Sequence, residues 1–180
     1  MTVASQPYPE RPSADEYFAY YGQYIHLVPA GNILDHLAEQ SKQTRALLAP
    51  LTLEQTNYRP KPADWNILEV IGHIVDAERV FAYRALCFAR TDPGPLPSFD
   101  QDRFVTNAQF AQRTLADLLD ELMVVRQASL FLFRHLTEEA WLRQGVASDN
   151  PISVRALVYI IAGHELHHVV DFRARYGVTA

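Results

Sequence analysis

Ala162-Gly163-His164-Glu165-Leu166-His167-His168 lies inside a run from Ser153 to Tyr176 whose apolar members recur at helical spacing. Val154, Leu157, Val158, Ile161, Leu166, Val169 and Phe172 mark one face. Ser153 is a cap residue and Gly177 a stop, so the run reads as one long helix. His164 and His168, four residues apart, lie on the same side of it, where two imidazoles can share a metal ion. His167 points away from that pair, towards an exposed or supporting position.

His164-Glu165-Leu166-His167-His168 also spells the H-E-x-x-H pattern of zinc proteases. That chemistry needs a further ligand downstream. One protease class places a glutamate well beyond the second histidine, where only 12 residues remain after His168. The other needs Gly and His at fixed offsets, where positions 169–175 read Val-Val-Asp-Phe-Arg-Ala-Arg. The protease reading fails, and another element must complete the site.

Three more long helices are expected upstream. The first runs from about Asn32 to Leu48, with Ile33, Leu34, Leu37, Ala38, Leu47 and Leu48 in register, and Pro50 stops it. His36 on this helix reads as a surface or packing histidine. The second opens at Asn66, which forms a capping box with Glu69, and continues to about Arg90. The third runs from Thr114 to about Leu136. Thr137 caps a short turn over Glu138-Glu139-Ala140-Trp141, and a polar loop with Gly145 and Pro151 follows. No stretch alternates apolar and polar residues as a half-buried strand would.

The connection over 91–113 is long for a compact domain and carries a short helix between Asp100 and Phe110. It can take the chain from one end of a bundle to the other. The fold expected is therefore all-α: a single-domain four-helix bundle, up-down-down-up, with a long connection between helices two and three. Residues 1–12, with Pro7, Pro9 and Pro12, form an extended arm. Ser13 to His26 makes one or two helical turns. Its Tyr17, Phe18, Tyr20, Tyr21 and Tyr24 pack over the core.

His73, two turns into the second helix, supplies the missing ligand. In an antiparallel pair its level differs from that of His164 and His168 by about 4–5 Å at 1.5 Å per residue. Three imidazoles leave a coordination position open, as catalytic rather than structural sites do. Cys87 lies about 21 Å along the helix from His73 and reads as a small buried hydrophobe. Glu165 is the one acid beside the ligands and a weak candidate for a base, although a solvated surface glutamate is the simpler reading. Asp76 and Glu78 either orient ligands or pair with Arg79, Arg84 or an arginine of the fourth helix, with a buried ion pair favoured for Glu78.

Composition sets the outer limits. The 180 residues carry a formal charge of -5, and the 14 arginines and two lysines are scattered, so no nucleic-acid footprint is expected. No run is long and apolar enough for a membrane span, and the N-terminus lacks the pattern of a signal peptide. One cysteine excludes an internal disulfide framework. A cytoplasmic protein is expected.

Trp65-Asn66, Gly72-His73-Ile74-Val75-Asp76-Ala77-Glu78-Arg79-Val80-Phe81-Ala82-Tyr83-Arg84 and Gly163-His164-Glu165-Leu166-His167-His168 together resemble the DinB-like (DinB/YfiT-like) superfamily. Leu96-Pro97-Ser98-Phe99-Asp100-Gln101-Asp102 and Val125-Arg126 resemble one branch of it. The resemblance extends from about Tyr17 to Tyr176. It implies the same bundle, a divalent metal held by His73, His164 and His168, and frequent homodimers. It also implies one of two activities: S-transfer from a low-molecular-weight thiol such as bacillithiol or mycothiol, or metal-dependent hydrolysis.

Three functions follow as expectations. The first is a thiol S-transferase, whose partners are a small thiol and an electrophile. The second is a hydrolase using a metal-activated water, for which Glu165, His167 and Asp76 are weak bases. The third is a non-enzymatic metal-binding stress protein. Three imidazoles suit zinc, nickel, iron or copper.

Overall fold

The computed structural model describes residues 9–179. Two single 3-10 turns, Ala14–Glu16 and Ala19–Tyr21, lead into α1 (Gly22–Ile25). Then follow α2 (Ile33–Leu48), α3 (Leu53–Asn57), α4 (Ile67–Ala89), α5 (Gln101–Ala108) and α6 (Leu115–Phe133). The chain ends with α7 (Glu138–Leu142), a hairpin of β1 (Gln144–Ala147) and β2 (Asn150–Ser153), and α8 (Val154–Ala174). No helix among the described residues is long and apolar enough to cross a membrane.

Local chemistry sets the ends of the long helices. Asn32 accepts from the Leu34 amide, Thr114 from Asp117 and Ser153 from Ala156. Asn66 and Glu69 cap each other reciprocally at 3.0 and 2.8 Å. Each such bond satisfies a backbone donor that the first turn leaves free and contributes about 1 kcal/mol.

The four long helices form the bundle. α4 packs on α8 and α6, and α2 meets the same two helices. The apolar interior falls into two clusters. One contains Ile33, Leu37, Phe81, Phe88 and Phe133, and the other Leu48, Ile71, Ile74, Leu118 and Phe172. Each fully buried side chain of this size contributes roughly 1.5–3 kcal/mol of transfer free energy. Where the clusters meet, all four helices place polar groups in the interior: Gln40, Ser41 and Thr44 from α2, His73 and Glu78 from α4, Arg126 from α6, and His164 and Glu165 from α8.

Several expectations need correcting. Residues 144–153 are a hairpin with register Gln144↔Ser153 to Ala147↔Asn150, not an irregular loop. Its turn residues Ser148 and Asp149 both adopt positive φ without the Asn-Gly pair that would advertise it. The inward positions of β1 are Gly145 and Ala147, too small to register as an apolar alternation. The 50–64 connection contains α3, which five residues of weak apolar content did not announce. The proposed arm falls largely on residues 1–8, outside the described residues, and 9–12 are irregular. Ser13 to His26 does turn, mostly as 3-10 helix.

Candidate metal centre

His73 follows Gly72 on the buried face of α4, and His164 and His168 project from consecutive turns of α8. The Nε2 atoms of His73 and His168 stand 3.0 and 3.1 Å from Nε2 of His164. All three ligand atoms lie within 4.8 Å of one another. Two metal–nitrogen bonds of about 2.0–2.1 Å meeting at roughly 90–110° would separate their nitrogens by about 2.9–3.4 Å.

Burial keeps these rings neutral. It pushes His73 down to about 4. Burial, with the His73 and His167 imidazoles, pushes His168 down to about 3. His164 falls well below the usual histidine range through burial, with His168, His73 and His167 adding to it. At neutral pH each ring therefore has one in-plane lone pair to offer. His164 Nε2 contacts both neighbours, and a single lone pair cannot accept two well-aligned hydrogen bonds. A shared cation would satisfy all three lone pairs together, so the donor set fits a divalent metal.

Two clefts reach these residues. One, about 160 Å³, is lined by His73 and His164 together with Tyr20, Tyr21, Tyr24, Phe81, Phe99 and Ser148. The other, about 290 Å³, is lined by His168, Trp65, Asp64, Asp102 and Asp171. A larger cavity of about 910 Å³ lies between α3 and the C-terminal turn and contains none of the histidines. The Trp65 ring lies beside His73 at 4.9 Å between ring centroids, tilted by 48°. The Tyr24 ring meets His164 and His167 edge-on, each at 5.4 Å. That approach depends on Gly163, because a Cβ there would stand 2.0 Å from the Tyr24 carbonyl oxygen.

Glu165 corrects the sequence reading. It has no exposed surface, and both carboxylate oxygens point into the bundle. Oε2 accepts from Arg126 and from Gln40 at 2.7 Å, and Oε1 from the Thr44 hydroxyl at 2.5 Å. Glu78 does form a buried ion pair, but with Arg126 of α6 rather than with the arginines expected on α4 or α8. Arg126 also donates to the Leu37 carbonyl at 2.7 Å. Burial alone would lower its pKa; Glu78 and Glu165 outweigh that and keep it protonated.

The remaining sequence candidates lie as follows. Asp76 pairs with Arg79 at 3.4 Å and is not part of the three-nitrogen cluster. His167 is half-buried against Tyr24 and stays outside the three-nitrogen cluster. Cys87 is half-buried, not buried as expected, and packs at the edge of the core. His36 donates from Nε2 to the Ala30 carbonyl at 3.1 Å. Sequence reading missed the tyrosine wall of the 160 Å³ cleft. Packing over the core, as their clustering suggests, does not describe them all: Tyr20 is 57% exposed. A usable signal was the spacing of Tyr20 and Tyr24, one helical turn apart and both able to present a hydroxyl.

The sequence profile of the DinB superfamily matches residues 36–170. A relative from Oceanobacillus iheyensis, named "Putative metal-dependent hydrolase OB0413", is 27% identical over 122 residues, which cover 67% of this chain and 69% of that protein. The solved structure of YfiT from Bacillus subtilis superposes with a TM-score of 0.70 at 15% identity, over 94% of this chain and 95% of the other. That structure is described as "a probable metal-dependent hydrolase with an unusual four-helix bundle topology". The likeness extends the four-helix bundle to this chain.

Proposed function

Because the chain belongs to the DinB superfamily, we propose that it is an enzyme dependent on one divalent metal ion that transfers a low-molecular-weight thiol to an electrophilic small molecule. His73, His164 and His168 are the proposed ligands, three neutral nitrogens that leave a position open. A cation held there supplies Lewis acidity, lowering the pKa of a thiol at the open position towards neutrality. Zinc, nickel, iron and copper all suit the donor set.

The orientation of Glu165 carries the choice of reaction. Water activation draws on a nearby general base, and Glu165, the acid beside the ligands in sequence, is turned into the Arg126 network instead. Asp64 and Asp171 at the His168 cleft pair with Arg175, which leaves Asp102 as the acid a hydrolysis would use. Thiol activation needs no such base, since the thiol is far more acidic than water. The two clefts, one reaching His73 and His164 and the other His168, fit a reaction with two substrates. In the first cleft Tyr24 excludes water from the imidazoles. Burial, and next Tyr20, raises its phenol, which stays a proton-bearing donor at neutral pH. A cytoplasmic setting, where small thiols are kept reduced, suits this chemistry.

The test is a panel of small thiols with an aryl halide electrophile, with and without chelator. Chelator-sensitive thiol consumption that disappears in His73→Ala is expected. Consumption indifferent to chelator would sink the reading. Hydrolysis is the second reading, favoured by the names of the two similar proteins. Ester or amide turnover without added thiol would establish it. Turnover in neither panel, with the ion needed only for thermal stability, would leave a metal-binding protein without catalysis.

We also read the bundle as up-down-down-up. Contacts support the chain directions: Arg45 with Asp120 and Leu37 with Arg126 set α2 and α6 antiparallel, and Gln40 with Ala162 and Thr44 with Glu165 set α2 and α8 parallel. α4 and α6 share one apolar cluster through their first halves (Ile71 and Leu118) and the other through their second halves (Phe88 and Phe133), as parallel helices do. A homodimer is proposed as the assembly, to be checked by sedimentation.

A further inference from the structure

Arg84 is 2% exposed, yet no carboxylate among the described residues pairs with it. Its Nη2 donates to the Pro97 carbonyl at 2.7 Å and to the Ser148 hydroxyl at 3.0 Å, and the guanidinium also hydrogen-bonds the Tyr21 phenol, all three neutral acceptors. Its Cζ lies 5.8 Å from the Phe81 ring and 5.9 Å from Phe99. Burial lowers its pKa, with the neighbouring Tyr21 phenol acting in the opposite direction. The other two arginines described at comparable depth or near it, Arg126 and Arg155, each have a glutamate. A buried cation without a counter-charge is costly, and a bound anion would offset that cost.

The place of Arg84 says which ligand. Tyr21, Phe81, Phe99 and Ser148 all line the 160 Å³ cleft that contains His73 and His164. Arg84 lines an adjoining cavity of about 360 Å³ together with Pro97, Phe99 and Phe104, so that Phe99 borders both spaces. It is bonded to Ser148 and faces both phenylalanine rings. Through the Phe81 ring the guanidinium and the His164 imidazole are two steps apart, of 5.8 and 6.4 Å. A small molecule with its reactive end at the histidines can thus extend along an aromatic wall to a cation. We propose that Arg84 recognises a carboxylate at the far end of a small molecule that extends from this cleft past Phe99 into the adjoining cavity. The planar guanidinium has five donors, more than Pro97, Ser148 and Tyr21 take up, and its shape suits that group.

This inference rests on the proposed reading of the three histidines as the reactive centre, and one probe series tests the two separately. The probes are 6-mercaptohexanoate, its uncharged amide, and hexanoate, titrated calorimetrically into metal-loaded protein at neutral pH. The acid should bind at least about tenfold tighter than the amide. Arg84→Gln should bring that ratio to within about twofold at unchanged metal content, and Arg84→Lys should retain part of it. Equal binding of acid and amide by the wild-type protein, or a preference that survives Arg84→Gln, would overturn the inference. A merely structural bracket between α4, the Pro97 segment and the hairpin turn would show the former. If Arg84→Gln does not fold, the wild-type ratio and Arg84→Lys decide. Failure of the metal reading looks different: hexanoate and 6-mercaptohexanoate would bind alike, while the carboxylate preference remained.

Discussion

Glu165 accepts a hydrogen bond from Arg126 at 2.7 Å with both side chains sealed inside the bundle. The same guanidinium holds Glu78 through Nε and Nη2 at 2.9–3.2 Å, so one cation serves two carboxyl groups contributed by different helices. Removing it leaves both without their charged partner. Arg126→Met should destabilise the protein by about 3–5 kcal/mol, the usual cost of breaking a buried pair from one side. Replacing all three residues by apolar ones of similar volume should recover much of that loss. Urea unfolding of the single and triple variants checks both; a single variant within 1 kcal/mol of wild type (about a fivefold change in equilibrium constant) contradicts the account.

Metal analysis should find about one divalent ion per chain. His73→Ala, His164→Ala and His168→Ala should each lose it, because each removes one of three converging lone pairs. His167→Ala should keep it, since that ring turns to Tyr24 instead. The discriminating measurement is metal content after dialysis against a weak chelator; full occupancy in His73→Ala would refute the site.

Helix positions were legible in the sequence because caps and apolar spacing agree, as at Asn66–Glu69 ahead of Ile67, Val70 and Ile71. The pairing of His73 with His164 and His168 was legible too, since antiparallel helices of known rise fix relative levels. The setting of Glu165 was not. A glutamate beside a ligand looks solvated until Arg126, Gln40 and Thr44, up to 125 residues away, are known to meet it. Arg126 carries a signal of its own, a lone arginine among Leu122, Ser129 and Leu130 on a buried face. Its partner is chosen by which helices adjoin, and periodicity does not encode that.

Glu16 gives a pH dependence whose sign can be worked out. Burial alone would raise its carboxyl, but Arg155, the Ser13 amide, and the Ser153 and Ser13 hydroxyls outweigh it and hold it at about 2 rather than 4.5. A carboxyl lowered on folding contributes stability that is complete above its ordinary value and fades as pH falls towards the folded one. Wild type should therefore exceed Glu16→Gln in urea midpoint at pH 6–7. The gap should narrow between about pH 4.5 and 2. A gap independent of pH would show that the Glu16 charge contributes nothing.

Gly163 and Gly72 both sit in helix interiors, where alanine is normally favoured by about 1 kcal/mol. Both are also closely approached, but by different things. A Cβ on Gly163 would meet the Tyr24 carbonyl oxygen at 2.0 Å, and one on Gly72 the Phe110 ring at 2.3 Å. A ring can rotate or shift with its short helical turn, whereas the Tyr24 backbone can yield only if α1 lifts from α8. Gly163→Ala should therefore cost the more, by an overpacking penalty of about 1–3 kcal/mol net of the helical gain. It should also loosen the Tyr24 wall over His164, seen as faster hydrogen exchange confined to α1. Equal destabilisation by the two variants, with α1 unchanged in exchange, would show that this contact does not hold the cleft wall in place.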